Sequence, residues 1–386
     1  MSGTAPPRVV VVGRFPPPLD GQALATARLA DLLASPLGGA ADVGRVDVGA
    51  PEGEALVTSG AGAVGDGAAR AAHFLRLSAR LRRALAAWPG APVLWPSVSP
   101  SPLGHARDLL TVAPAFGRRP VVAVVHRGDV ERLFRSPLTA ATGRALVRRL
   151  AGVVFLSEGL AARCAPFVPA AKRWVVPNTV DDAAVPAPPE VEAARAVRAG
   201  RSGLRLLYLS GMIPSKGYAD VLDALAVLRG RGVDASATFA GRWPSGAAEA
   251  AFRARIDALG VGGAVRVLGG VSDRTEVRRL YLDADAFVLP TTYPVEAQPL
   301  TVIEALAAGT PVVVTRHAGL PEMVDEGREG RFVRAGAPAE IADAVQALGR
   351  GGAWAGASVA ARARFERQFS PAVVGARWRS LLARLP

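Results

Sequence analysis

Glu296 and Glu304 stand with seven residues between them, and Ala-Leu-Ala-Ala-Gly-Thr-Pro-Val-Val-Val-Thr315 follows directly. Upstream, Ala286-Phe-Val-Leu-Pro290 is a short apolar run of the kind a buried strand needs. Strand, loop, apolar helix and strand make a parallel βαβ unit, which binds ligands at the carboxyl ends of its strands. That rule places Glu296 in the crevice. The free N–H groups of the following helix aim at the same point and suit phosphate. Glu304, about two turns into the helix, is out of reach of the ligand atom that Glu296 touches. Two carboxylates flanking a helix N-terminus suit a ligand with hydroxyls at both ends and phosphates between. A nucleotide sugar has that form.

Three further constellations bear on such a ligand. Lys216 lies in Leu209-Ser-Gly-Met-Ile-Pro-Ser-Lys-Gly217, directly after a strand pattern, where an ammonium suits a diphosphate. The turn Gly13-Arg-Phe-Pro-Pro-Pro-Leu-Asp-Gly21 precedes a helical pattern, so Gly21 would let backbone N–H groups approach an anion. His126, in His126-Arg-Gly-Asp129, ends the strand Val121–Val125 with an imidazole and a nearby carboxylate. The plainer alternatives are a solvated loop lysine, a rigid connector and an ordinary surface or core histidine. His317 follows the strand that ends at Thr315 and would lie near Glu296.

Two motifs fail on context. Gly60-Ala-Gly-Ala-Val-Gly65 matches the dinucleotide fingerprint, but no acidic residue occurs between Asp66 and Asp108 to meet a ribose. Asp283-Ala-Asp285 resembles a metal-binding pair, yet it precedes its strand, at the end away from the crevice. A structural role is expected, and no metal.

The elements that must position these residues form two series. Strands are expected at Val9–Val12, Val93–Trp95, Val121–Val125, Val153–Leu156 and Trp174–Val176. They recur at Leu204–Leu209, Ala237–Ala240, Val265–Leu268, Phe287–Leu289 and Val312–Val314. The 386 residues exceed one core, and the proline-rich stretch after Asp181 has the composition of a linker. The expectation is α/β, with two doubly wound Rossmann-like domains facing across a cleft. The acceptor domain takes residues 1–183, the linker 184–202 and the nucleotide-sugar domain 203–365. A last helix, 366–386, returns to the first domain.

No apolar run is long enough to span a bilayer, and the N-terminus enters a strand without a signal-peptide pattern. One cysteine, Cys164, excludes an internal disulfide. A cytoplasmic protein is expected. Residues 1–180 carry 21 Lys+Arg against 11 Asp+Glu, a net +10, while the remainder is net +3. An anionic partner for the first half is implied. Only Lys172 and Lys216 are lysines among 46 basic residues. That bias reads as genome composition and argues against nucleic acid. Between Phe74 and Trp88 the apolar residues fall at helical spacing with Arg76, Arg80 and Arg83 opposite. The helix either rests on anionic lipid or packs on its own sheet with a solvated basic face.

Taken together, Glu296 to Glu304, Ser215-Lys-Gly217, Pro16-Pro-Pro18 with Gly21, and His126-Arg-Gly-Asp129 resemble retaining glycosyltransferases of family 4, with the GT-B fold. Val176-Pro-Asn-Thr-Val-Asp181 and Gly319-Leu-Pro-Glu-Met-Val-Asp-Glu-Gly327 add to the resemblance, which covers nearly the whole chain in order. It implies a hexosyltransferase moving sugar from a UDP- or GDP-sugar to a hydroxyl acceptor by front-face attack, without metal or other cofactor. Glu296 and His126 would contact the donor sugar and Glu304 the ribose. Lys216, Gly21 and the amides near Leu300 and Thr301 would hold the diphosphate, with Gln298 beside them. Gly270 and Val271 would border the base. The acceptor would be anionic or lipid-linked, with peripheral membrane contact through the basic half. Two departures stand out. Gly211 lies where the family has an arginine, for which Arg242 would substitute, and Asp20-Gly21 replaces Gly-Gly. A non-catalytic nucleotide-sugar-binding or membrane-surface protein of the same fold, or a sugar-nucleotide epimerase, is the competing expectation.

Overall fold

The structure, a computed structural model, describes residues 7–17, 20–49, 67–349 and 352–386. The Gly60–Gly65 loop and Pro18 lie outside the described residues. The chain divides into two compact units, Met1–Asn178 with Val374–Pro386, and Thr179–Val373.

The first unit alternates β1 (Arg8–Gly13), α1 (Gly21–Ala34), β2 (Asp42–Asp47), α2 (Gly67–Ala87), β3 (Val93–Trp95) and α3 (Pro102–Val112). It continues with β4 (Val121–Val125), α4 (Arg132–Arg135), α5 (Ala140–Arg149), β5 (Gly152–Phe155), α6 (Glu158–Arg163) and β6 (Arg173–Val175). All strands pair in parallel, in the order β2-β1-β3-β4-β5-β6. Valine runs such as Val9–Val12 and Val121–Val125 suit strands covered on both faces. Leu29 and Leu33 of α1 share a core with Val9, Val11, Trp378 and Leu381, so the chain's last helix packs on this sheet.

The second unit holds α7 (Pro188–Ala199), β7 (Leu204–Leu209), α8 (Tyr218–Gly230), β8 (Ala235–Ala240), α9 (Gly246–Ala258), β9 (Val265–Gly269) and α10 (Arg274–Asp283). Then come β10 (Ala286–Leu289), α11 (Leu300–Ala307), β11 (Val312–Thr315), α12 (Leu320–Met323), β12 (Gly330–Val333), α13 (Pro338–Leu348) and α14 (Ala353–Gln368). Its parallel order is β12-β11-β10-β7-β8-β9. The last helix of the chain is α15 (Pro371–Leu382). Two six-stranded, doubly wound sheets are thus present, each with its own core.

Two differences from expectation have physical causes. The stretch 184–202 is not an extended linker, because α7 fills most of it and belongs to the second unit. Prolines at a helix's first turn cost nothing there, and the Glu190 carboxylate accepts the Ala187 N–H at 2.7 Å. Val191 is buried, and Arg198 and Arg201 both reach the buried Asp285. That ion cluster, with the Arg205 N–H at 2.6 Å, is what Asp283-Ala-Asp285 serves. The second difference is that β2 and β12 lack apolar runs; both are sheet edges, where alternation with polar residues suffices. Of the two settings expected for α2, the apolar side follows the second: Leu77, Leu81 and Leu85 are buried while Arg76, Arg80 and Arg83 are exposed.

The scarce lysines have separate uses. The Lys172 ammonium donates to the carbonyls of Val147, Arg148 and Leu150 at 3.0, 2.9 and 2.7 Å, closing the C-terminus of α5. Lys216 precedes Gly217, whose φ of +80° and close approach to Pro290 leave no room for a side chain, since a Cβ would come within 2.6 Å of the Pro290 carbonyl oxygen. Gly217→Ala is expected to lower stability by about 2 kcal/mol, read by urea denaturation. Unchanged stability would show that the loop is not held in this conformation.

Candidate functional site

Strand order in the second unit reverses between β7 and β10. The chain runs outward to β8 and β9 on one side and to β11 and β12 on the other. The loops leaving β7 and β10 therefore diverge around a crevice at the carboxyl end of the sheet. Lys216 comes from the first loop and Glu296 from the second, and the lysine ammonium is ion-paired with the Glu296 carboxylate. Both side chains are about nine-tenths buried. The ammonium also lies 4.7 Å from the centre of the Tyr293 ring. Backbone bonds fix this meeting. The Thr292 N–H donates to the Ser215 carbonyl at 2.7 Å, and His317 bonds the Tyr293 carbonyl through Nε2 at 2.8 Å. The Gly319 N–H reaches Ala297 O at 3.0 Å, so the loop after β11 braces the Glu296 loop.

α11 begins at Leu300 with Pro299 as its cap residue and no side-chain cap. No acceptor within the described residues takes the amides of Leu300 and Thr301, so this N-terminus stays open to an anion. Gln298 is buried just ahead of it. Glu304 is the fifth residue of α11, little more than one turn in rather than two. Its carboxylate is buried, accepting from Arg274 Nη2 at 2.6 Å and from the Tyr281 hydroxyl at 3.1 Å. Arg274 also lies 3.4 Å from Asp181, tying the segment before α7 to α10 and α11. Neither Arg274 nor Tyr281 was legible beforehand. Their only signal was a basic and an aromatic residue on a helix, thirty and twenty-three positions from Glu304.

Arg242 follows β8, and its carbonyl accepts the Met212 N–H at 3.0 Å, beside the Lys216 loop. Its guanidinium is exposed and has no ion-pair or hydrogen-bond partner among the described residues. Gly270 and Val271 follow β9, with Gly270 against Arg242. A Cβ on Gly211 would meet only the Ile213 side chain, at an ordinary 3.6 Å, so the glycine is not sterically required. Lys216, Arg242, Gly270, Val271, Glu296, Gln298, Leu300, Thr301 and Glu304 thus all lie at the carboxyl end of one sheet.

Gly21 and His126 belong to the first unit, at the carboxyl ends of β1 and β4. Asp20 spends its carboxylate on its own surroundings, accepting from Ala23 N–H at 2.9 Å and Arg14 Nη2 at 2.6 Å. Gly21 is exposed, and a Cβ there would touch nothing within 4 Å. The expected carboxylate partner of His126 is engaged elsewhere, because Asp129 holds Arg127 by two bonds of 2.9 and 3.0 Å. Both ring nitrogens of His126 are shut away from solvent with no partner among the described residues. Burial pushes its pKa down to about 4, so the imidazole is neutral at pH 7. The Ser97 hydroxyl, at the end of the neighbouring β3, is likewise buried and unsatisfied. It was not singled out from the sequence.

Residues 196–352 match the family described as Glycosyl transferases group 1. A GDP-mannose-dependent alpha-(1-6)-phosphatidylinositol dimannoside mannosyltransferase of Mycobacterium tuberculosis is 37% identical over 120 residues, covering 31% of this chain and 29% of that protein. The chain spans between 29% and 48% of the length of such curated relatives. Anabaena HepE, crystallised with UDP, superposes with a TM-score of 0.73 at 18% identity over 98% of this chain and 100% of its own. Sucrose-phosphate synthase of Thermosynechococcus elongatus gives 0.74 at 16%, covering 98% and 99%. These likenesses establish the fold as GT-B, with two Rossmann-like domains.

A histidine whose folded pKa lies below its unfolded value of 6.5 stays neutral while the unfolded chain takes a proton. Its contribution to stability is full above about pH 6.5 and is lost as pH falls toward 4. Thermal melts between pH 7 and 4.5 are expected to show a smaller loss for His126→Gln than for the parent chain. Equal losses would mean that the ring is solvated.

Proposed function

We propose that the chain is a retaining glycosyltransferase that moves a hexose-type sugar from a UDP- or GDP-sugar to a hydroxyl acceptor. The observation that carries this reading is the Lys216–Glu296 pair at the strand-order reversal, beside the open N-terminus of α11. Support for the nucleotide comes from the group 1 match over this unit, the UDP bound by HepE and the GDP-mannose of the mycobacterial relative.

Lys216 neutralises Glu296 in an ion pair. A diphosphate seated on the amides of Leu300 and Thr301 draws the ammonium to itself and frees Glu296 to accept from sugar hydroxyls. Arg242 supplies a second cation, and each charge-assisted contact is worth about 1.5–3 kcal/mol. Glu304, held by Arg274 and Tyr281, orients toward the ribose hydroxyls, and Gly270 and Val271 border the base. Gly21 presents its own backbone N–H to the diphosphate, the rest of the α1 N-terminus being capped by Asp20. Neutral His126 hydrogen-bonds the donor sugar with its unsatisfied nitrogens. In front-face transfer the bond from C1 to the phosphate oxygen breaks as the acceptor oxygen bonds C1. The acceptor proton passes to the leaving diphosphate, so neither a protein nucleophile nor a metal is called for. The acceptor is an anionic or lipid-linked alcohol, met on the cytoplasmic side by the basic first unit.

Nucleoside diphosphate release on mixing donor with acceptor tests the class. A donor isomerised with no acceptor present would indicate an epimerase, and binding without turnover a binding protein. Glu304→Gln keeps a partner for Tyr281, so the fold survives. Nucleotide affinity should fall by about tenfold or more in calorimetry, and an unchanged affinity would sink the ribose assignment. His126→Ala should slow transfer far more than it weakens nucleotide binding. Equal losses in both would argue against a sugar contact.

A further inference from the structure

Right-handed crossovers from β2 to β3, β3 to β4 and β4 to β5 place α2, α3 and α5 on one face of the first unit's sheet. α2 packs on α3, and His105 of α3 meets Thr142 of α5 at 2.9 Å, so α3 is the middle helix. Its outward positions are Leu103, Ala106 and Leu110, three and four residues apart and all exposed. Leu103 and Leu110 keep 52% and 49% of their surface in solvent. Leu75 on α2 is 66% exposed, and Leu138, just before α5, is 77% exposed. An apolar ridge therefore crowns this face.

Arginines flank the ridge. α2 exposes Arg76, Arg80 and Arg83, and α5 exposes Arg144, Arg148 and Arg149. None of these guanidinium groups has an ion-pair or hydrogen-bond partner among the described residues. No Asp or Glu occurs in α2 or α5, and the one acid of α3, Asp108, is buried against Arg107. The second unit treats its surface differently, because Arg231, Arg253, Arg255 and Arg316 each face a carboxylate.

Unpaired cations around exposed leucines repel one another and leave apolar area in water. A layer of anionic headgroups over acyl chains relieves both at once. A nucleic acid would meet the arginines and leave the leucines wet. We propose that the α2–α3–α5 face docks the protein on an anionic lipid bilayer, with the arginines among the headgroups and Leu103 and Leu110 at the acyl boundary. The apolar side of α2 takes no part, since it is buried in the unit's own core. The docking face stands independently of what the second unit transfers.

Co-sedimentation of the full chain with phosphatidylcholine vesicles, alone or with an equal share of phosphatidylglycerol, tests this. Binding is expected only with the anionic lipid. Arg80→Glu/Arg83→Glu/Arg144→Glu should weaken it by more than about 100-fold. Leu103→Ser/Leu110→Ser should weaken it by about tenfold and leave a residue of binding that about 0.5 M salt abolishes by screening. All these positions are exposed, so thermal melts and nucleotide binding should match the parent chain, which separates the face from the site of the second unit. Equal binding to neutral vesicles, or no binding to anionic ones, would overturn the proposal. So would competition by duplex DNA together with indifference to the leucine changes, which would make the face a polyanion site.

Discussion

The pairing of β7 with β10 is the contact on which the candidate site depends. Leu206 lies opposite Ala286 and Leu207 opposite Phe287, all essentially buried. Once these parallel strands are in register, both chains leave the sheet at the same edge and turn away from each other, one toward β8 and the other toward β11. The crevice is the consequence, and so is the meeting of two loops that are eighty residues apart in sequence. Gly217 lets the first loop pass close against Pro290, and the Ser215 carbonyl takes the Thr292 N–H. A packed apolar sheet thus fixes the distance between an ammonium and a carboxylate.

Burial then dictates the charge pattern. A carboxylate taken out of water needs a cation or several donors nearby, because an isolated buried charge is costly. Glu296 has Lys216, Glu304 has Arg274 and Tyr281, and Asp285 has Arg198, Arg201 and a backbone N–H. The three pairs differ in what a ligand could change. Asp285 sits at the amino end of β10, away from the crevice, and serves the attachment of α7. Glu296 and Glu304 lie at the carboxyl end, the first in the loop before the uncapped helix α11 and the second within it. The first unit shows the opposite pattern on its α2–α3–α5 face, where arginines stand without counter-ions among the described residues.

Much of the architecture was legible because parallel strands buried on both faces must be written as apolar runs. Val121–Val125, Leu204–Leu209 and Val312–Val314 each read as strands for that reason. β2 and β12 were missed because an edge strand needs only one covered side and no long run. The proline-rich stretch after Asp181 read as linker, although prolines at the first turn of α7 are compatible with a helix. Glu296, Glu304, Lys216 and His126 could be picked out by their places at strand ends or on the following helix. Arg274, Tyr281 and Ser97 could not, since nothing local distinguishes a helix arginine that faces a buried carboxylate from one that faces water.

The sequence by itself therefore determined the α/β class, two series of parallel strands, and which chemistry-bearing residues end those strands. Local composition carries that information, through side-chain periodicity and the backbone demands of glycine and proline. Tertiary structure alone decided the partners. It paired Lys216 with Glu296, gave Asp129 to Arg127 instead of His126, and left Leu103 and Leu110 outward between arginine-bearing helices. Partnership depends on strand order and on which helix face the sheet covers, and both are set by long-range packing that no short stretch of sequence encodes.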